Sequence, residues 1–257
     1  MRFTEEAIRS GFKEHGRIYH DVKGWKIPDH IRWWRQGAVA FEQKRFDEYA
    51  KLHKALRGYW QVFRGFTGRP WDARRTFDEL SSLDTAYRSR RLSSLEDADV
   101  PACSRILDSM RLIKPNRHGP SVVAISKVLH FWNPRLFIVV DDAVMWRWVL
   151  AHGWLRRPIK RTHARIASSI GRAGATYPKG ACDLHTYLAI LRWGADVVRT
   201  NPEICPQFVR HVNAHRDNEP LDIPVETYEA AALEWLLLGL TEVPPPGVTI
   251  ADEDVGS

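Results

Sequence analysis

Apolar side chains recur every three or four residues along most of the chain, which is the spacing of one face of an α-helix. The longest such stretch runs from about Asp29 to Gly58, and a second strongly periodic one runs from Asp183 to Arg199. The same spacing predicts further helices over residues 4–16, 72–80, 82–92, 101–112, 119–132, 142–152, 160–172 and 225–239. Only 122–125 and 137–140 look like strands, and short length or helical surroundings argue against both. The pattern therefore predicts an all-α fold.

Chain length and turn residues predict one folded domain with a tail. A chain of 257 residues suits a single core, because cores stop growing beyond roughly 250–300 residues. The run Pro244-Pro-Pro-Gly and the acidic residues 251–254 predict that 244–257 is disordered. We therefore expect a single domain over residues 1–243.

The composition excludes several classes of protein. Hydrophobic residues make up 44% of the chain and charged residues 27%, which is usual for a globular domain. Cys103, Cys182 and Cys205 are too few for a disulfide framework or for the four thiolates of an iron–sulfur cluster. No apolar run approaches the ~20 residues that span a bilayer, and charges lie near the N-terminus. We expect a cytoplasmic protein with no membrane partner.

The charge balance favours a polyanionic partner. The chain has a net charge of +7 and a pI near 9.4, which suits nucleic acid. Lys160, Arg161, Arg165 and Arg172 form one basic face of a predicted helix, where Arg161 and Arg165 are candidate phosphate contacts. A solvated helix face is the alternative.

One segment, residues 117–146, carries most of the candidate chemistry. Gly119-Pro120 opens a helix, Asn133-Pro134 ends it, and Asp141 stands where the next helix is predicted to begin. The segment resembles helix-hairpin-helix DNA glycosylase-like proteins, relatives of the oxoguanine glycosylases, some of them linked to phage defence. The matching positions are Ser126-Lys127-x-Leu129-His130-Phe131, Pro134-x-Leu136-Phe137 and Asp141-x-x-Val144. The resemblance covers about 25 residues and implies a two-lobed helical fold that excises bases from DNA.

That superfamily has one essential aspartate after the helix that follows its hairpin, and the resemblance carries this role onto Asp141, with Asp142 as the fallback. Breaking an N-glycosidic bond develops positive charge on the sugar, which a fixed carboxylate stabilises. A helix N-terminus helps keep such a group ionised. The alternative is that Asp141 only caps a helix.

A lysine acts as the nucleophile in some members of the superfamily, and Lys127 is the candidate here. Lys127 lies about two helical turns beyond Gly119, whereas those lysines occupy the first turn. We therefore expect a monofunctional enzyme in which Lys127 is a structural lysine.

The hairpin of the superfamily binds phosphate through backbone N–H groups at a helix N-terminus. Its counterpart here keeps one glycine and several basic residues, and the candidate DNA contacts are Lys114, Arg117, His118 and Gly119. Ser126, in the matching segment, is assigned to DNA contact as well. A solvated loop is the alternative for the hairpin residues.

Eleven tryptophans are unusual for this length. An enzyme that extrudes a base needs aromatic faces to hold it, and Trp33, Trp132 and Trp146 are the candidates for a base pocket. Ordinary core packing is the alternative for each.

Two other motifs have the spacing of metal chemistry. Pro28-Asp29 followed by Glu42-Gln43-Lys44 fits the spacing of a PD-(D/E)xK nuclease, but that chemistry needs strands where a helix is predicted. His211 and His215 are four residues apart and lack accompanying ligands, so a surface pair is expected. We predict no metal and no other cofactor.

The sequence thus favours a monomeric DNA glycosylase that acts on double-stranded DNA carrying a modified base. Hypermodified phage cytosine ranks slightly ahead of oxoguanine as the target. A non-catalytic DNA-binding module of the same fold and a PD-(D/E)xK-like nuclease are the alternatives.

Overall fold

The structure, a computed structural model, describes residues 2–22, 26–60, 62, 71–111, 113, 115–116, 119–140 and 184–240. The helices of this part of the chain are α1 (Glu5–His15), α2 (Ile27–Glu42), α3 (Phe46–Gly58), α4 (Ala73–Ser82), α5 (Val100–Ser109), α6 (Val122–Trp132), α7 (Leu184–Thr200), α8 (Ile204–His215) and α9 (Glu229–Leu240). A π-helical stretch over Gly16–Val22 follows α1.

Strand structure in the described residues is confined to β1 (Pro115–Asn116) and β2 (Gly119–Pro120). The two form an antiparallel pair in which Pro115 lies opposite Pro120. The prediction of an all-α fold is confirmed.

The single helix predicted over 29–58 is wrong, because the chain turns at residues 43–45. Lys44 has a φ of 53°, in the left-handed region that an α-helix of L-residues does not use. The turn separates α2 from α3 and lets Phe41 and Tyr49 pack on the same ring, that of Phe77. Apolar spacing continues across this turn, so periodicity alone does not reveal it.

The helix predicted over 82–92 is also wrong. This stretch contains only short 3-10 turns, Thr85–Tyr87 and Leu92–Ser94. Its backbone groups bond elsewhere: the side-chain amide of Asn133 donates to the carbonyls of Tyr87 and Arg90, and the N–H of Leu92 donates to the carbonyl of Arg135. Tertiary hydrogen bonds replace the helical ones.

Helix α9 lies at the centre of the molecule, and all of its residues are buried. It crosses α1 so closely that a Cβ at Gly239 would collide with the backbone carbonyl of Gly11. Helix α2 crosses α6 in the same way, with Gly37 against the carbonyl of Phe131. The described residues include no helix that is both long and apolar enough to cross a membrane.

Candidate functional site

Helix α6 is fixed at both ends. The hydroxyl of Ser121 accepts a hydrogen bond from the N–H of Ala124, which caps the first turn. At the other end the N–H of Asn133 donates to the carbonyl of Leu129 at 2.8 Å. The predicted helix over 119–132 is therefore present, and it begins at Val122 because Gly119 and Pro120 belong to β2.

The residues after α6 form a buried extended segment, 137–140. Three side chains bond to its backbone: the ring of His130 to the carbonyl of Phe137 at 2.9 Å, the hydroxyl of Tyr187 to the carbonyl of Ile138 at 2.7 Å, and the hydroxyl of Ser126 to the N–H of Val140 at 3.1 Å. Buried backbone groups need such partners. Side chains thus supply the backbone hydrogen bonds of residues 137–140, which a neighbouring strand would supply in a sheet.

The protonation of His130 follows from its two partners. The indole N–H of Trp34 can only donate, and it donates to Nε2 of His130 at 3.1 Å. The proton of the neutral ring is therefore on Nδ1, which donates to the carbonyl of Phe137. Burial lowers the pKa of His130 to about 4, so the ring is neutral at pH 7. Glu234 lies close by, with Oε2 at 3.8 Å from Nδ1.

Lys127, one residue after Ser126, is only 8% exposed. Its ammonium group donates to the carbonyl of Trp60 at 3.3 Å and lies 5.6 Å from the centroid of the Trp60 ring. A cation over an indole face is attracted by the ring quadrupole. These contacts agree with the structural alternative for Lys127.

Two of the predicted base-pocket tryptophans lie within the described residues, and both are buried. Trp33 contacts the rings of Tyr59, Trp60 and Phe131, whereas Trp132 packs against Phe137. No ring contact joins Trp33 to Trp132 in the described part of the chain. Trp33 lies beside Tyr59, whose side chain is 37% exposed.

Ser126 differs from its expected role as a DNA contact. The residue is fully buried, and its hydroxyl donates to the carbonyl of Val123 while accepting from Val140. The side chain is therefore used inside the protein. Gly119, another expected contact, lies in β2 opposite Asn116.

The other predicted site residues lie outside the described residues. They are the catalytic candidates Asp141 and Asp142, the DNA-contact candidates Lys114, Arg117, His118, Arg161 and Arg165, and the base-pocket candidate Trp146.

The expected surface pair of His211 and His215 is wrong for His211, which is buried. Nδ1 of His15 is 3.1 Å from Nε2 of His211, and Nδ1 of His215 is 2.9 Å from the carbonyl of His211. The described residues contain no group of three or more His, Cys, Asp or Glu placed to hold a metal ion.

The candidate nuclease residues Asp29 and Glu42 lie at opposite ends of α2. With a helical rise of ~1.5 Å per residue their backbones are roughly 20 Å apart. Asp29 pairs with Arg32 at 2.9 Å. Their placement on one helix argues against a shared metal site.

Sequence reasoning missed the roles of Trp34, His130 and Tyr187 in holding the extended segment. Trp34 and His130 are 96 residues apart, and Tyr187 lies 49 residues from its partner Ile138. The sequence offers one signal for this arrangement, His130, which belongs to the motif that carries the resemblance. Comparisons of this chain with protein-family models, with curated proteins and with solved structures give no match.

Proposed function

We propose that this chain is a monofunctional DNA glycosylase that excises a modified base from double-stranded DNA, with Asp141 as the catalytic carboxylate. The observation that carries the proposal is the extended segment 137–140, whose backbone is bonded to Ser126, His130 and Tyr187. In the sequence Asp141 follows Val140 directly. The resemblance to helix-hairpin-helix glycosylases assigns the essential carboxylate to this position, in a fold with two lobes.

The proposed chemistry benefits from a rigid support. A carboxylate that is already in position stabilises the positive charge on the sugar without reorganisation during the reaction. The three buried hydrogen bonds support the proposal because they hold residues 137–140, which directly precede Asp141 in the sequence.

The contacts of Lys127 support hydrolysis by water. Its ammonium group is bonded to the carbonyl of Trp60 and lies over the Trp60 ring. An amine that attacks the sugar has to be deprotonated and open to the substrate, and Lys127 is almost completely buried. We therefore propose that no Schiff base forms and that the product is an abasic site in an uncut strand.

A set of duplexes tests the function directly, each carrying one modified base, with hypermodified cytosine and oxoguanine first. The protein is incubated with each duplex in two parallel reactions, one with a chelator and one with Mg²⁺, and the strands are examined before and after treatment with hot alkali. Alkali-labile breaks at the modified base are the expected result. Cleavage without alkali that requires Mg²⁺ would instead indicate a nuclease, and binding without breaks would indicate a non-catalytic module.

A further inference from the structure

The connection between α3 and α4 is rich in both cations and aromatic rings. Over residues 54–75 the sequence contains six Lys or Arg, five aromatic residues and a single acid, Asp72. Proteins that bind nucleic acid backbones combine basic residues with aromatic faces in this way. The composition alone also fits a solvated surface, so the geometry of the described residues has to decide.

The described ends of this connection lie together. His53 on α3 bonds to the backbone of Trp71, which directly precedes the capping residue of α4. Burial lowers the pKa of His53 to about 4; the charge of Arg57 acts in the same direction and that of Asp72 opposes it. Helices α3 and α4 also pack against each other. The end of α3 and the start of α4 therefore form one surface.

Two acids of α4 and its cap, Asp72 and Asp78, are engaged within the protein, whereas two cations of α3 are not. The carboxylate of Asp72 accepts from the N–H of Arg75 at 2.8 Å as the cap of α4. Arg74 pairs with Asp78 at 3.2 Å. Lys54 and Arg57 are exposed, and no carboxylate of the described residues lies within ion-pair distance of either.

Arg75 is held in place by an aromatic ring. Its guanidinium carbon is 4.5 Å from the centroid of the Trp71 ring. Stacking restricts the guanidinium and leaves its N–H groups available, and a pre-oriented guanidinium suits two-point binding of phosphate. The arrangement makes Arg75 more than a freely moving surface charge.

The chain that follows α3 reaches helix α6. Trp60, three residues after Arg57 in the sequence, accepts through its carbonyl the hydrogen bond from Lys127 on α6.

We infer that Lys54, Arg57 and Arg75, together called the junction surface, bind the phosphate backbone of DNA, while the buried ring of Trp71 orients Arg75. The identification of DNA rests on the proposed function. A protein partner is less suitable, because stable protein interfaces need an apolar centre, and Tyr59 is the one large apolar side chain that the described residues expose. Interfaces with DNA are polar and strongly positive.

A pair of matched double variants tests the junction surface in the full chain. Lys54→Gln with Arg57→Gln removes two of its cations, and Lys13→Gln with Arg210→Gln removes two exposed cations from α1 and α8. Fluorescence anisotropy with a short unmodified duplex gives the affinity over a range of KCl concentrations. Thermal melting checks that both variants fold like the parent.

The junction variant should bind roughly tenfold or more weakly at low salt, and the slope of log K against log [salt] should fall in magnitude by about 2, since each lost phosphate contact contributes about 0.9. The control should bind like the parent. An unchanged affinity of the junction variant, or an equal loss in both variants, would overturn the inference. Competition by polyglutamate as effective as that by DNA would overturn it too, because the surface would then hold any polyanion.

Measuring binding on unmodified DNA separates this inference from the proposed function. A parent protein that binds through the junction surface but excises no base would leave the inference standing and remove the function. A parent that excises a base while the junction variant binds normally would do the opposite. A parent that does not bind the duplex at all would overturn both.

Discussion

Two regions of this protein, helix α6 with the extended segment 137–140 and the junction surface, use polar side chains in opposite ways. In the first, Ser126 and His130 are buried and form hydrogen bonds with the backbone of residues 137–140. In the second, Lys54 and Arg57 are exposed and bond to no carboxylate of the described residues.

The difference lies in what a substitution costs. Removing one partner of a buried hydrogen bond leaves the other unsatisfied and costs about 1–3 kcal/mol of folding free energy. Removing an exposed charge costs almost no stability, yet it changes the attraction to a polyanion, which salt then screens. Changes around α6 should therefore alter stability or catalysis, and changes at the junction surface should alter binding alone.

The largest expected effect is that of Asp141→Asn on excision. Asparagine keeps the size and most of the capping ability of aspartate but removes the charge, and loss of a preorganised stabilising group typically lowers the rate by about 10²–10³. The variant should melt near the parent temperature and still bind DNA, as measured by calorimetry and anisotropy. Asp142→Asn is the matched control. If Asp142→Asn were the inactive variant, the assignment would be displaced by one residue.

Acid should destabilise both regions, because His130 lies on α6 and His53 lies on α3 beside the junction surface. Burial lowers the pKa of His30, His53 and His130 to about 4, well below the ~6.5 of an unfolded histidine. Between these values the unfolded chain binds more protons than the folded one, so stability falls as the pH falls from about 6.5 to about 4. The loss should be on the order of a few kcal/mol, measured by urea unfolding across this range.

His130→Gln should weaken that pH dependence, because it removes one of these three buried histidines. His185→Gln, at an exposed position on α7, is the control and should leave the dependence as it is. An equally steep loss of stability in His130→Gln and the parent would show that other groups cause the acid sensitivity.

Ser126→Ala should lower the free energy of unfolding by about 1–3 kcal/mol, because the buried N–H of Val140 loses its acceptor. Ser109→Ala is a matched control. Ser109 also donates to the carbonyl three residues before it, that of Ile106, but the described structure gives it no bond to a distant segment. Urea unfolding of both variants checks the prediction. Equal losses would mean that the bond to Val140 adds nothing.

The smallest effect is expected for Lys127→Met, which keeps the length of the chain over the Trp60 ring and removes the charge. If water attacks the sugar, single-turnover excision should fall by roughly tenfold or less, which leaves most of the transition-state stabilisation in place. Borohydride should trap no covalent complex of the parent protein with DNA. A trapped complex that disappears in Lys127→Met would establish lysine as the nucleophile.

The sequence alone determined the fold class and most of the helices. Periodic apolar positions predicted Asp183–Arg199, and α7 covers Leu184–Thr200. The helix predicted at 101–112 corresponds to α5, and the last helix, predicted at 225–239, begins four residues later at Glu229. These predictions succeed because helical periodicity is a local property that a short window of sequence contains.

Tertiary structure decided how the helices end and what their polar residues do. The turn at Lys44 interrupts an apolar pattern that continues on both sides of it. The roles of Trp34, His130 and Ser126 depend on partners that lie 96, 7 and 14 residues away. A hydrogen bond of this kind forms only after packing has brought its two groups together, and it leaves no repeat in the sequence. Local pattern fixes the elements, and the pairing of buried polar groups between them fixes the site.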